Sequence, residues 1–285
     1  MRHFVLALTL VLIAGVAVAG DHGHDWDSGS EEDCNAHHFR FNDHESVVQR
    51  EDVAGAASLR SLKVRTTNGP VSVRGGASAY GIVVCKAAED DATLRQIQVS
   101  LRGNELVADG PANGRWTVAY RISVPRNADL DLESKNGPLS MKDVDGHVVA
   151  HAKNGPISLR NVSGNVDAQT TNGPISLSGG AGNVKAIATN GPVSIHLQGT
   201  TWQNGSLEAS TSNGPLTVKL PKGYATGVLI ETDGNGPVSC NFDGCDDVRT
   251  SLRGRGREPR RFELGKGPQN VRLSTSNGPL SIKEE

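Results

Sequence analysis

Hydrophobic and polar residues alternate along most of this chain, and one tripeptide phases the alternation. Asn-Gly-Pro begins at Asn68, Asn136, Asn154, Asn172, Asn190, Asn213, Asn235 and Asn277. Aligned on the Asn, the third residue on is Val71, Leu139, Ile157, Ile175, Val193, Leu216, Val238 or Leu280. The fifth is Val73, Met141, Leu159, Leu177, Ile195, Val218, Cys240 or Ile282. Between them every copy carries a hydroxyl: Ser72, Ser140, Ser158, Ser176, Ser194, Thr217, Ser239 or Ser281. Apolar–hydroxyl–apolar is a period of two and predicts a short strand with one buried face. Six residues before the Asn stand Leu62, Leu130, Val148, Val166, Val184, Leu207, Leu229 and Val271. Small or apolar residues follow at alternate positions, as in Ala150 and Ala152, Ala168 and Thr170, or Ala186 and Ala188. This is a second alternating strand.

The copies from Asn136 to Asn190 are 18 residues apart, and the later intervals are 23, 22 and 42. Each unit therefore reads strand, Asn-Gly-Pro corner, strand, second turn, with Gly146, Gly164 and Gly182 in the second turn. Asn and Gly tolerate the positive φ expected of a tight corner, and Pro fixes its own φ and can open a strand. A coil this short cannot bury its apolar face alone, but stacked coils can. The predicted fold is all-β: a parallel β-solenoid, a β-helix-like stack of short two-strand coils. Its structural turns are the Asn-Gly-Pro corners at Asn136, Asn154, Asn172, Asn190 and Asn213 and their equivalents, with Asn side chains placed to bond along the stack. Hairpins of a β-sandwich are the alternative, and the even spacing favours the solenoid. Glu231 and Asp233 put charge where other copies are small or apolar, so a bulge moving Ile230 inward is expected there.

The flanks divide the chain further. Residues 1–19 read as a signal peptide: Arg2, an apolar run from Phe4 to Val18, and Ala17-Val18-Ala19 as a cleavage site. An uncleaved anchor is the competing reading. No later apolar stretch reaches membrane length, so no span is expected after cleavage. Residues 20–57, with Asp21, His22, His24, Glu31, Glu32, Asp33, His37 and His38, lack periodicity and read as a disordered polar linker. The repeat domain is expected over 58–283. Within it, 75–125 reads as capping strands and 241–266 as a loop excursion. The net charge of −2 becomes about −3 once residues 1–19 and their Arg2 are removed. That argues against general nucleic-acid binding. Aromatic content is 4% against 34 Gly, which suits the narrow interior of a thin repeat fold. Export makes disulfides permissible. Among Cys34, Cys85, Cys240 and Cys245 the pair Cys240 and Cys245 is the easiest to join, although sequence leaves all pairings open.

Ile122 to Leu177 reads ISVPRNADLDLESKNGPLSMKDVDGHVVAHAKNGPISLRNVSGNVDAQTTNGPISL. With Leu220-Pro221-Lys222-Gly223 and the closing Leu273 to Pro279, this resembles the DUF4097 family, which carries an adhesin label, over roughly residues 58–283. The resemblance implies a β-repeat interaction domain without assigned catalytic residues.

Candidate chemistry is sparse. The hydroxyls Ser140, Ser158, Ser176, Ser194 and Thr217 form a candidate ligand face, against the plainer reading that Ser and Thr suit the outer side of a half-buried strand. Arg253, Arg255, Arg257, Arg260 and Arg261, with Arg249, form a basic loop that could meet an anionic partner. The early histidines, His44 included, lack metal-ligand spacing, and His151 and His196 read as isolated surface residues. Acids are scattered, and neither a Gly-x-Ser-x-Gly elbow nor a His-Glu-x-x-His motif is present. The expectation is an exported, non-catalytic structural or interaction protein of a bacterial envelope or exterior. No cofactor or metal is expected, and the partner would be an envelope protein or a glycan. An envelope-stress accessory binding a signalling partner is the alternative, and a polysaccharide-active enzyme the third.

Overall fold

The computed structural model describes residues 34, 39–41, 44–233, 235–242, 245, 260–265 and 267–285, with the side chains of residues 44 and 260 excepted. Each Asn-Gly-Pro copy forms one rung of a stack. The strands before the corner are Ser61–Asn68, Asp129–Asn136, Asp145–Asn154, Ser163–Asn172, Asn183–Asn190, Leu207–Asn213, Val228–Thr232 and Val271–Thr275. The strands after it are Val71–Gly75, Leu139–Lys142, Ile157–Arg160, Ile175–Ser178, Val193–His196, Leu216–Leu220, Val238–Asn241 and Leu280–Glu284. The former build one parallel sheet and the latter a second, and the two face each other across the core. The fold is the expected solenoid, flattened into two layers.

Period-two alternation decides what lies between the layers. From the second sheet come Val71, Leu139, Ile157, Ile175, Val193, Leu216 and Leu280, none more than 1% exposed. Opposite stand Leu62, Leu130, Val148, Val166, Val184, Leu207 and Val271, also buried. Each fully buried Leu, Ile or Val contributes about 1.5–3 kcal/mol relative to exposure. Nearest the corner the inward side chains are small: Thr66, Ser134, Ala152, Thr170, Ala188, Thr211 and Thr275. The buried hydroxyls among them are satisfied locally. Ser134 donates to the Gly137 carbonyl, Thr170 to Gly155, Thr211 to Gly191 and Thr275 to Gly214, at 2.8–3.2 Å.

The corner glycines serve a different purpose from the one expected. Only Gly69 and Gly191 of the eight have positive φ, and no corner Asn does. What excludes a side chain is the stacking itself. A Cβ on Gly155 would overlap the carbonyl oxygen of Gly137 in the next rung. The same overlap recurs at Gly137 against Gly69, Gly173 against Gly155, Gly191 against Gly173, and onward to Gly236. Beside this glycine column runs a continuous Asn ladder. Each Asn Nδ2 donates to its neighbour's Oδ1 at 2.9–3.1 Å, from Asn68 through Asn136, Asn154, Asn172, Asn190, Asn213 and Asn277 to Asn235.

That order is not the chain order. The Asn277 rung lies between the Asn213 and Asn235 rungs, because Val271–Thr275 pairs with Leu207–Asn213 on one side and Val228–Thr232 on the other. The Asn235 rung also slips by one residue. Thr232 stands opposite Thr275, although it is three residues before its Asn and Thr275 only two. Ile230 consequently points inward and is fully buried. Val228, rather than the expected Leu229, occupies the column that Val271 fills in the neighbouring rung.

At the opposite end Glu105–Asp109 and Gln98–Arg102 extend the first sheet. Trp116–Val124, Gly81–Ala88 and Val47–Asp52 extend the second. The expected linker therefore ends earlier than residue 57, since Val47–Asp52 is an edge strand. It is held by pairing with Gly81–Ala88 and by the ion pair of buried Lys86 with Glu51 at 2.8 Å, and its Val48 packs against the disulfide that joins Cys34 to Cys85. That disulfide, with Phe39, Val48 and Ala119, forms a small second core on the outer face of the second sheet. Cys240 pairs with Cys245 at the other end of the same sheet. The excursion over 241–266 contains a strand, Arg260–Leu264, which pairs antiparallel with Val228–Thr232. No helix among the described residues is long and apolar enough to cross a membrane.

Candidate functional site

Parallel in-register pairing turns the sequence columns into physical ones. Ser140 lies beside Ser158, Ser158 beside Ser176, Ser176 beside Ser194 and Ser194 beside Thr217. Ser72 extends the column at one end, where Ser140 Oγ donates to its hydroxyl at 3.1 Å. Ser281 and Ser239 extend it at the other. The neighbouring inward residues fix its outward direction, and Ser176 and Ser194 are exposed. Successive rungs are about 4.8 Å apart, so the hydroxyls recur at that interval along the face, exposed or half-exposed from Ser140 to Ser239 and buried at Ser72.

Two residues further along each strand runs a column that the sequence reading did not single out. It comprises Arg74, Lys142, Arg160, Ser178, His196, Lys219, Lys283 and Asn241, in register and on the same outer face. Every member is the sixth residue after its Asn, so the same alignment that revealed the hydroxyls holds this signal too. His196 is not isolated, since its Nε2 lies 2.6 Å from Glu285 Oε2. At the adjoining turn Asn161 donates to Asp143 Oδ1 at 3.1 Å, and both residues have positive φ.

The outer face of the first sheet is organised differently. There acids and bases alternate along the stack and pair across rungs. Lys63 meets Asp131 at 3.4 Å, and Arg65 meets Glu133 at 3.0 Å and Glu105 at 3.2 Å. The hydrogen bond from Arg65 holds the Glu133 carboxyl below its ordinary value, against the opposing effect of partial burial. His151 stands 4.0 Å from Asp167. A shallow depression of about 480 Å³, lined by Arg65, Glu133, Lys135, His151 and Lys153, lies among these pairs.

Of the basic loop, Arg261 is the residue whose side chain is described. Arg261 lies on the first sheet, 3.3 Å from Glu263 and 3.9 Å from Glu231. Arg260 begins the same strand. Arg249, Arg253, Arg255 and Arg257 lie outside the described residues, as do residues 1–19, where a leader is expected, and His22, His24, His37 and His38. Among the described residues no group of three or more His, Cys, Asp or Glu side chains could hold a metal ion.

Comparison with known proteins gives one family match. The model of Toastrack DUF4097 matches residues 44–251. Solved structures with a similar arrangement include a "putative cell adhesion protein" from Clostridium sporogenes, at 12% identity and TM-score 0.29, covering 84% of this chain and 100% of that one. A "putative adhesin" from Bacteroides fragilis has 12% identity and TM-score 0.37, covering 84% and 97%. A "putative lipid binding protein" from Parabacteroides distasonis has 12% identity and TM-score 0.30, covering 82% and 96%. No curated protein matches.

Proposed function

This chain belongs to the Toastrack DUF4097 family, and on that footing we propose that it is an exported, non-catalytic interaction module of a bacterial envelope or exterior that holds its partner along the hydroxyl face of the stack. The observation that carries this reading is the in-register row from Ser140 to Ser239, a repetitive surface suited to an extended ligand. Many weak contacts, fixed at equal intervals on a rigid support, sum into useful affinity without a deep pocket. Export is supported by the leader pattern of residues 1–19 and by the pairing of all four cysteines, since disulfides persist in oxidising compartments.

The test is a glycan-array screen of the mature chain beside the triple variant Ser158→Gln, Ser176→Gln and Ser194→Gln, which roughens the face without adding charge. Binding that the triple variant loses, with an unchanged melting curve, supports the reading. Binding that survives the triple variant, or no binding at all, overturns it.

A further inference from the structure

Asn followed by Gly is the pair in a polypeptide most prone to deamidation, because glycine has no side chain to shield its own nitrogen from the Asn carboxamide. The Gly nitrogen loses its proton to solvent base and attacks Asn Cγ. A five-membered imide closes, the Cγ–Nδ2 bond breaks and ammonia leaves. Water then opens the imide at either carbonyl, giving aspartate or its β-linked isomer. One water is consumed and one ammonia released, and neither oxidant nor reductant takes part. The chain contains ten Asn-Gly pairs: the eight corners, Asn113-Gly114 and Asn204-Gly205.

The corners oppose this reaction through three sets of contacts. Cγ reaches the Gly nitrogen only if the carboxamide turns, and the ladder holds it. Asn136, Asn154, Asn172, Asn190, Asn213 and Asn277 each donate through Nδ2 and accept through Oδ1, while Asn68 accepts and Asn235 donates. The attacking nitrogen is engaged as well in five of the rungs. The N–H groups of Gly69, Gly137, Gly155, Gly173 and Gly191 donate to the Asn carbonyl of the next rung at 3.0–3.3 Å. The corner backbone has no room to swing, because from Gly137 to Gly278 each glycine lies against the glycine carbonyl of its neighbour. The two remaining pairs lack the ladder. Asn113 sits in the turn between Glu105–Asp109 and Trp116–Val124, and Asn204 in the loop between Val193–His196 and Leu207–Asn213. Both are exposed, and neither carboxamide bonds to another described residue. The Gly205 N–H has no backbone partner among the described residues, and that of Gly114 only closes its own turn onto the Pro111 carbonyl at 3.2 Å. Such segments open locally while the rungs stay stacked.

From this contrast we infer that deamidation of the folded protein falls on Asn113 and Asn204, and that the ladder keeps the eight corner asparagines as amides. The inference is independent of the proposed function. A conversion inside the ladder would replace an Nδ2 donor by a carboxylate oxygen and set two acceptors against each other. At Asn113 or Asn204 it adds a negative charge and leaves the ladder whole.

The experiment incubates the mature chain at mildly alkaline pH, folded and in concentrated urea, and follows every Asn-Gly peptide by mass spectrometry after digestion in acid. In the folded chain Asn113 and Asn204 should convert roughly tenfold faster than any corner Asn. In urea the ten rates should converge. Asn172→Ala leaves Asn154 Oδ1 and Asn190 Nδ2 without their ladder partner. In that variant Asn154 and Asn190 should convert severalfold faster than in the parent, and Asn136 at its former rate. A corner Asn converting as fast as Asn113 and Asn204 in the folded chain overturns the inference. The same inequality persisting in urea overturns it too, since the neighbouring sequence would then set the rates. Unchanged rates at Asn154 and Asn190 in the variant remove the ladder as the cause of protection.

Discussion

The two turns of each rung have opposite tolerances. At the Asn-Gly-Pro corner the same residues separate Asn from the third-position apolar residue in every copy, from Asn68 and Val71 to Asn277 and Leu280. Apart from the one extra residue between Thr232 and Asn235, the irregular segments enter at the other turn. The capping region follows Gly75, a longer loop follows His196, another follows Leu220, and the last follows Asn241. The difference has a physical cause. Glycine backbones touch through the whole length of the first corner, and the Asn ladder runs beside them. An extra residue there would break both columns in both directions. The second turn is close-stacked at some glycines, among them Gly146, Gly164, Gly182 and Gly205, but not throughout. Within its longer loops it opens, and a Cβ on Gly199 or Gly223 would meet nothing within 4 Å.

The largest expected effect comes from violating the contact at the first corner. Gly155→Ala should cost more than about 3 kcal/mol or prevent folding, because the flanking backbones must separate. Gly223→Ala, at positive φ but in open space, should cost about 1–2 kcal/mol. Denaturant unfolding of the two variants measures the contrast, and equal costs would show that backbone conformation, not stacking, demands glycine at the corner. A smaller effect is expected in the Asn ladder. Asn172 donates to Asn154 at 2.9 Å and accepts from Asn190 at 3.0 Å. Asn172→Ala should therefore destabilise by about 1 kcal/mol, since water can replace part of what is lost at this exposed site. A change near zero would reduce the ladder to a consequence of stacking that adds nothing to it. The smallest effect is expected from a Gly-Ser insertion between Gln198 and Gly199, in the exposed second turn. Lengthening that loop should cost under about 1 kcal/mol. A loss comparable to that of Gly155→Ala would erase the distinction between the turns.

Much of the fold was legible because its determinants are local. Alternation at Ile175, Ser176 and Leu177 states which side chains face inward, and the tripeptide states where the chain reverses. Equal spacing stacks like on like, so the hydroxyl row followed from alignment alone. The second outer column was legible by the same means, but the sixth position varies between Arg, Lys, Ser, His and Asn, and only adjacency in space makes it one surface. The edge strand Val47–Asp52 was hidden in a polar stretch, because its partner strand Gly81–Ala88 lies far along the chain.

By itself, then, the sequence determined the rung: two alternating strands, an Asn-Gly-Pro corner and the faces they present. Side-chain period and turn chemistry act over a few residues and need no partner. Tertiary structure decided how the rungs are ordered, placing Asn277 between Asn213 and Asn235 and shifting Thr232 into register with Thr275. A parallel strand edge accepts any segment with a matching apolar column. Which segment fills it depends on what the rest of the chain leaves unpaired, and no local pattern records that.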